Sequence, residues 1–399
     1  MKSLEFIPYN RPDIGEEEIA ETVDTLRSGW LTTGPRAAAF EQEFRALTKA
    51  SHALAVNSCT AGLHLALAAL DLQPGDEVIT TPLTFCATVN TILQAGGTPV
   101  LADIDRDLNI DPDAISAAVT DRTRAILPVH YGGLPCRMWE IWQLAGERNL
   151  KVIEDAAHAV GATYRGNPIG SGPSDAVAFS FYATKNLCTG EGGMVTTPSL
   201  DLYERMRVLC LHGISRDAWN RYTEKGNWYY EVVECGFKYN MTDIMAAIGI
   251  HQLRKLDLMN ARRAEIAAVY NRAFADMPEV ELPPDHVDSV HAWHLYALRL
   301  SLGTLSIDRA RFFEEMRARH IGCSVHFIPI PLHPYYRRTL EMRDPCTHAL
   351  SEYPRLLSLP LYSKMMDDDV GRVIHAVQDV VFRFKKQTAM IRGVDLIAD

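Results

Sequence analysis

Lys185 stands in FSFYATKNLCTGEGGMV (179–195), where a nearly unbroken apolar run gives way to one amine and then a cluster of glycines. An amine at the end of a buried strand is a candidate nucleophile, because partial burial disfavours its charged form and frees the lone pair. Two further runs end in residues of complementary chemistry. KVIEDAAHAVGA (151–162) closes its apolar stretch on Glu154 and Asp155, with His158 just beyond. A carboxylate there can hold a proton on a heteroaromatic nitrogen and so keep a ring electron-withdrawing. It can equally cap the next segment, and His158 taken alone reads as structural. ALAVNSCTAGLHLAL (53–67) passes from strand through Asn57, Ser58, Cys59 and Thr60 directly into a helix. The free N–H groups of such a helix start suit a phosphate, although Ser and Thr are also ordinary caps. Ser180 and Lys185 flank the third strand end, and GEGG (190–193) allows close backbone approaches. A phosphate turn, an aspartate and a lysine, in that order on strand ends, make a pyridoxal 5'-phosphate site.

Elements able to position these residues are visible as rhythm. Apolar runs at 53–57, 77–80, 99–102, 124–129, 151–155, 177–182 and 193–196 alternate with stretches of helical spacing such as AGLHLALAAL and MWEIWQLAGERN. Strands that read as continuous apolar runs are buried on both faces, which predicts an α/β fold with a mostly parallel central sheet flanked by helices. The last two runs are joined mainly by the lysine–glycine loop, which allows one antiparallel strand. TDIMAAIGIHQLRKLDLMNARRAEIAAVYNRAFADM reads as helical. Beyond it, strands at HAWHLYALRL and CSVHFIPI mix with helices at RARFFEEMRARH and DDDVGRVIHAVQDVVFRFKK, as in a smaller C-terminal α+β domain. The expected division is a large cofactor-binding domain over 1–255, a small domain over 256–386 and a tail over 387–399. The loop around 213–230 is expected to line the pocket.

Composition narrows the function. The 399 residues carry a net charge of −10 and no large basic patch, which argues against a nucleic-acid partner. No apolar stretch reaches the roughly 20 residues of a membrane helix, and MKSLEFIPYNRPDIGEEE turns polar too early for an export signal. The eight scattered cysteines form no C-x-x-C pair, so the expectation is reduced thiols, no metal site and a cytoplasmic location.

SGWLTTGP (28–35), NSCTAGLHLAL (57–67), GDEVITTPLTFCATVN (75–90), PVHYGG (128–133), IEDAAHAVGA (153–162), FSFYATKNLCTGEGGM (179–194) and GFKYNMTDIMAAIGIHQLRKLD (236–257) are similar to motifs of the DegT/DnrJ/EryC1/StrS aminotransferases. The resemblance runs from about residue 5 to 385. It is nearest to the sugar 4-aminotransferases of the lipid A aminoarabinose and pseudaminic acid pathways. It implies a fold-type I pyridoxal phosphate enzyme. Such an enzyme moves an amino group from glutamate to a UDP- or dTDP-linked 4-keto-sugar, and acts as a homodimer with shared active sites.

By the same resemblance Lys185 forms the Schiff base, Asp155 faces the pyridine nitrogen and His158 lies beside the ring hydroxyl. Thr60 and Ala61 lie at the phosphate turn, Ser180 is a further phosphate contact and Phe85 stacks on the ring. The GFKYN segment reaches the partner's site, but it departs from the common G-x-N-Y-R pattern: Lys238 replaces an asparagine and Asn240 an arginine. A lysine binds phosphate as a point charge; the missing arginine leaves open what grips the donor's carboxylate. Tyr9, Gly29, Trp30, Leu31, Thr32 and His326 are the implied sugar-nucleotide contacts, with core packing the alternative for Trp30. Other readings are a sugar dehydratase, a 3-keto-sugar or cyclitol aminotransferase, and a regulatory relative that binds cofactor without turnover. Dehydratase relatives replace the lysine with histidine, so Lys185 speaks against the first.

Overall fold

A computed structural model describes residues 5–215 and 229–386. The expected tail at 387–399 and residues 216–228 of the expected pocket loop lie outside the described residues.

Two helices, α1 (Glu16–Ser28) and α2 (Pro35–Thr48), precede the sheet. Three glutamates in the first turn of α1 suit its dipole, and Gly29 ends the helix in the left-handed region (φ 77°) that glycine adopts without strain. There follow β1 (His52–Val56), α3 (Cys59–Ala68), β2 (Glu77–Thr80), α4 (Cys86–Gln94), β3 (Thr98–Leu101), α5 (Pro112–Ala118), β4 (Thr123–Leu127), α6 (Met138–Arg148) and β5 (Lys151–Asp155). A two-residue hairpin, β6 (Thr163–Tyr164) and β7 (Asn167–Pro168), leads to β8 (Ala176–Ser180) and β9 (Gly193–Thr197). The large sheet runs β1-β9-β8-β5-β4-β2-β3.

Neighbours from β8 to β3 pair in parallel, whereas β9 is antiparallel to both β8 and β1. The cause is the connection: residues 181–192 contain no helix to carry the chain back for a parallel return. Every residue of β8 and β9 is buried, as a strand covered on both faces requires. On one face Phe44 of α2 packs edge-on to Phe179 and Phe181, and Phe40 packs at a tilt against Phe181. On the other, Leu63, Leu65 and Leu67 of α3 join Leu127, Ile153 and Val195 in a second cluster. The parallel strands therefore direct their carboxyl ends to one edge, where ligands bind in such sheets.

After α7 (Leu200–Cys210), the stretch read as one helical region forms α8 (Asp243–Arg254) and α9 (Leu256–Phe274), interrupted at Lys255. The remaining elements are β10 (Val280–Glu281), β11 (Ser289–Val290), β12 (Tyr296–Leu300), α10 (Arg309–Ala318), α11 (Pro334–Thr339), α12 (Thr347–Glu352), β13 (Leu356–Leu359) and α13 (Asp367–Phe384). A small antiparallel sheet, β10-β12-β13, supports a separate core of Tyr270, Phe274, Tyr296, Phe312 and Val377.

Two expectations need correction. CSVHFIPI forms no strand: Ser324 makes an isolated bridge to Ser358, and Pro329 lacks the N–H that a ladder needs. The strand at HAWHLYALRL begins only at Tyr296, because Ala292 and Leu295 donate instead to the carbonyls of Gly133 and Gly132.

The division into two domains is proposed at Leu256. Among the contacts that cross it, Ile7 joins the C-terminal core and β11 pairs with β6. Among the described residues no helix is long and apolar enough to cross a membrane.

Candidate active site

A cavity of about 540 Å³ opens at the carboxyl edge of the large sheet, within the size range of small-molecule sites. Its floor is the end of β5. Asp155 is buried there, with Oδ2 accepting from Thr88 Oγ1 at 2.8 Å and Oδ1 from the Ala157 N–H at 3.1 Å. Burial raises its proton affinity, while those two hydrogen bonds and the Lys185 charge restrain the rise. Behind it His130 donates from Nε2 to Glu154 at 2.8 Å, since its Nδ1 accepts the Cys136 N–H.

Lys185 follows β8 in a turn closed by its own N–H to the Tyr182 carbonyl at 2.8 Å. Burial pushes its amine down to about 8, with the Asp155 carboxylate pulling the other way. That is close enough to neutrality for a useful fraction of free amine. The glycines next to it are needed for space: a Cβ on Gly193 would lie 2.6 Å from the Cys59 nitrogen. β9 can thus lie against the start of α3.

At that start Ser58 Oγ accepts the Ala61 N–H at 3.1 Å, and the first helical bond runs from Gly62 to the Ser58 carbonyl. The N–H groups of Cys59 and Thr60 precede this bond and are left for an anion, at the positive end of the helix dipole. Phe85, 58% exposed, projects at the cavity wall with its ring 5.9 Å from that of Phe327. His158 accepts the Gly132 N–H at Nδ1, so its proton sits on Nε2. Burial and the nearby Lys185 charge keep this ring neutral. His326 is pushed down to about 4, first by burial and then by Lys185.

This donor set fits pyridoxal phosphate. A buried carboxylate can face a ring nitrogen, an amine of lowered proton affinity can meet an aldehyde, and unused helix N–H groups can take a phosphate.

Of the residues singled out in the sequence, Thr60, Phe85, Asp155, His158, Ser180, Lys185 and His326 line the cavity together. Ala61 is buried, with its N–H taken by the cap. Tyr9 lies one layer back, its ring 5.4 Å from that of His326.

Lys238, Asn240 and Gly29–Thr32 do not line this chain's cavity. They belong to one surface built from two distant segments. Asn240 Nδ2 donates to Thr33 Oγ1 at 2.6 Å, and the Asp243 N–H to the Thr32 carbonyl at 3.1 Å. The buried Asp243 carboxylate accepts the N–H groups of Gly34, Arg36 and Ala37 at 2.7–3.0 Å.

Sequence reasoning missed Thr88, His294 and Phe327, which also line the cavity. Thr88 lies in the motif at 75–90 and Phe327 beside His326, but nothing in the sequence pairs them or His294 with Asp155 and Lys185; the fold does that.

Comparison with known proteins gives a consistent result. Residues 12–378 match the DegT/DnrJ/EryC1/StrS aminotransferase family. The chain is 53% identical over 383 residues to the spore coat polysaccharide biosynthesis protein SpsC of Bacillus subtilis, covering 95% of this chain and 98% of SpsC. Among solved structures, the putative sugar aminotransferase Spr1654 of Streptococcus pneumoniae in its PLP form superposes with a TM-score of 0.88 at 33% identity, over 95% of this chain and 99% of that one. PseC of Helicobacter pylori, an aminotransferase of pseudaminic acid biosynthesis, superposes with a TM-score of 0.89 at 30% identity, over 95% and 100%.

Proposed function

We propose, for a chain that belongs to the DegT/DnrJ/EryC1/StrS aminotransferase family, that it moves an amino group from glutamate to the ketone of a UDP- or dTDP-linked 4-keto-sugar. Its class is that of a sugar aminotransferase dependent on pyridoxal phosphate. The finer reading is supported by PseC, an aminotransferase of pseudaminic acid biosynthesis, and by SpsC, which serves polysaccharide synthesis. The observation that carries the chemistry is the meeting of the partly buried Lys185 amine and the buried Asp155 carboxylate in one cavity.

Pyridoxal phosphate, when bound, supplies an aldehyde for amines and a cationic ring that withdraws electrons. The residues do the rest. Lys185 Nζ would hold the cofactor through its aldehyde and, as a free amine, would be the base that carries a proton to and from the donor's α-carbon. Asp155, whose oxygens are fixed in direction by Thr88 and Ala157, would keep the ring nitrogen protonated. His158 would offer its Nε2 proton to the ring hydroxyl. Ser180, Thr60 and the open N–H groups of α3 would hold the phosphate. Phe85 would lie against the ring. The second half runs the same proton transfers in reverse on the sugar.

The test is a panel of UDP- and dTDP-linked keto-sugars incubated with the purified protein, pyridoxal phosphate and glutamate, with products read by mass spectrometry. Conversion of a 4-keto-sugar to a 4-amino-sugar, with 2-oxoglutarate released, is the expected result. Amination of 3-keto-sugars alone, or loss of water without nitrogen transfer, would replace this reading.

A further inference from the structure

His294 precedes β12 and lines the cavity from the C-terminal part of the chain. Its ring is buried 4.4 Å from the ring of His158. The hydrogen bonds around it fix where its proton sits. Asn186, next to Lys185, donates from Nδ2 to the Ala292 carbonyl at 2.6 Å and to Asn260 Oδ1 at 2.8 Å. Asn260 in turn donates to the Val160 carbonyl, so neither amide can turn over without setting two oxygens against each other. The Asn186 oxygen therefore faces His294 Nδ1 at 3.1 Å and can only accept. His294 must carry its hydrogen on Nδ1 and a lone pair on Nε2.

The backbone of His294 is held as firmly. Arg263, buried without a carboxylate partner among the described residues, spreads Nη1 over the carbonyls of Trp293, His294 and Leu361. Burial, together with the charges of Lys185 and Arg263, keeps the imidazole unprotonated far below its ordinary range. Nε2 has no partner among the described residues. His158 is locked in the opposite state, with its free Nε2 carrying hydrogen. Two adjacent rings thus offer a donor and an acceptor in fixed positions.

We propose that His294 is a specificity-determining residue whose Nε2 accepts a hydrogen bond from the substrate hydroxyl next to the ketone. This rests on the keto-sugar reading above. In a 4-keto-6-deoxyhexose the only hydroxyl on a carbon flanking the ketone is the one at C3, so that group is the predicted partner. A lone pair closed off by a bound sugar with no donor opposite is costly, so a sugar lacking the hydroxyl is rejected instead of merely bound less well. A carboxylate brought to the same place would set lone pair against lone pair.

Two measurements test this. In the first, kcat/KM is determined for a dTDP-linked 4-keto-6-deoxyhexose and its 3-deoxy counterpart in wild type, His294→Gln and His294→Phe. Wild type should prefer the hydroxylated sugar by about ten- to a hundred-fold. Gln, whose amide oxygen can accept, should keep most of that preference. Phe should lose it by falling on the hydroxylated sugar alone. A Phe variant that discriminates like wild type overturns the proposal, and a wild type that aminates neither sugar overturns the keto-sugar reading beneath it. The second measurement is the nitrogen-15 signature of the His294 ring in the intact protein, which needs no substrate and no variant. Hydrogen on Nδ1 is expected; hydrogen on Nε2 removes the acceptor and ends the case.

Discussion

The lowered proton affinity of Lys185 has a consequence that needs no substrate. Below about 8 the amine is mostly charged and cannot attack an aldehyde; above it the amine is mostly neutral. Capture of pyridoxal phosphate by cofactor-free protein should accelerate as pH rises and reach half its maximum near about 8. Stopped-flow absorbance measures the rate. A midpoint above 10 would mean that the amine is not buried when it reacts, and Lys185→Ala should never become linked to cofactor under borohydride. Asp155→Asn should still fold and bind cofactor but transaminate at least about 100-fold more slowly, since an amide cannot hold the ring proton by charge. Rates near wild type would reduce Asp155 to a cap. Lys185 and Asp155 were legible because each ends an apolar run and carries its chemistry in its own motif. Thr88 was not: it reaches Asp155 across 67 positions of chain. His294 was hidden for the same reason, as its ring chemistry is set by an asparagine 108 positions away.

Elements were easier to read where burial leaves one solution. The seven runs of the large sheet are apolar on both faces, and the helix-free link to β9 settles its direction. Where side-chain pattern and backbone capacity disagree, the pattern misled: CSVHFIPI looks like a strand, but proline denies it the ladder. Asp243 is a subtler case. In the sequence it is an acidic residue in the first turn of α8, a common and unremarked feature. In the structure its carboxylate caps a different helix, α2, through N–H groups 206–209 positions distant. Asp243→Ala should therefore lower stability by about 2 kcal/mol or more, above an ordinary cap because the acceptor is charged and buried. Urea midpoints measure this, with Asp243→Asn intermediate because it keeps one acceptor oxygen. A change under about 0.5 kcal/mol, the scale of neutral surface substitutions, would show that α2 does not depend on it.

At the scale of the whole molecule, Lys238 and the loop at Gly29–Thr32 lie outside the cavity of their own chain, although the family resemblance implies cofactor and sugar contacts for them. A second copy of the chain resolves this, and homodimerisation is proposed on that ground. Lys238→Ala should weaken cofactor affinity about ten- to a hundred-fold, as expected for one charge-assisted contact. Mixing Lys185→Ala with Lys238→Ala subunits should restore some sites holding both residues, with cofactor binding tighter than in either parent. Proven subunit exchange without such recovery would confine Lys238 to its own chain. The placing of Ile7 raises a question of time. Its N–H donates to the His320 carbonyl and its carbonyl accepts from Gly322, beside a core made of residues 266–381. A ribosome adding roughly 5–20 residues per second reaches His320 and Gly322 only about 15–60 s after making Ile7. Through that interval the segment around Ile7 waits without its partner. The C-terminal core, made after Ile7, is complete only when that residue is drawn back into it.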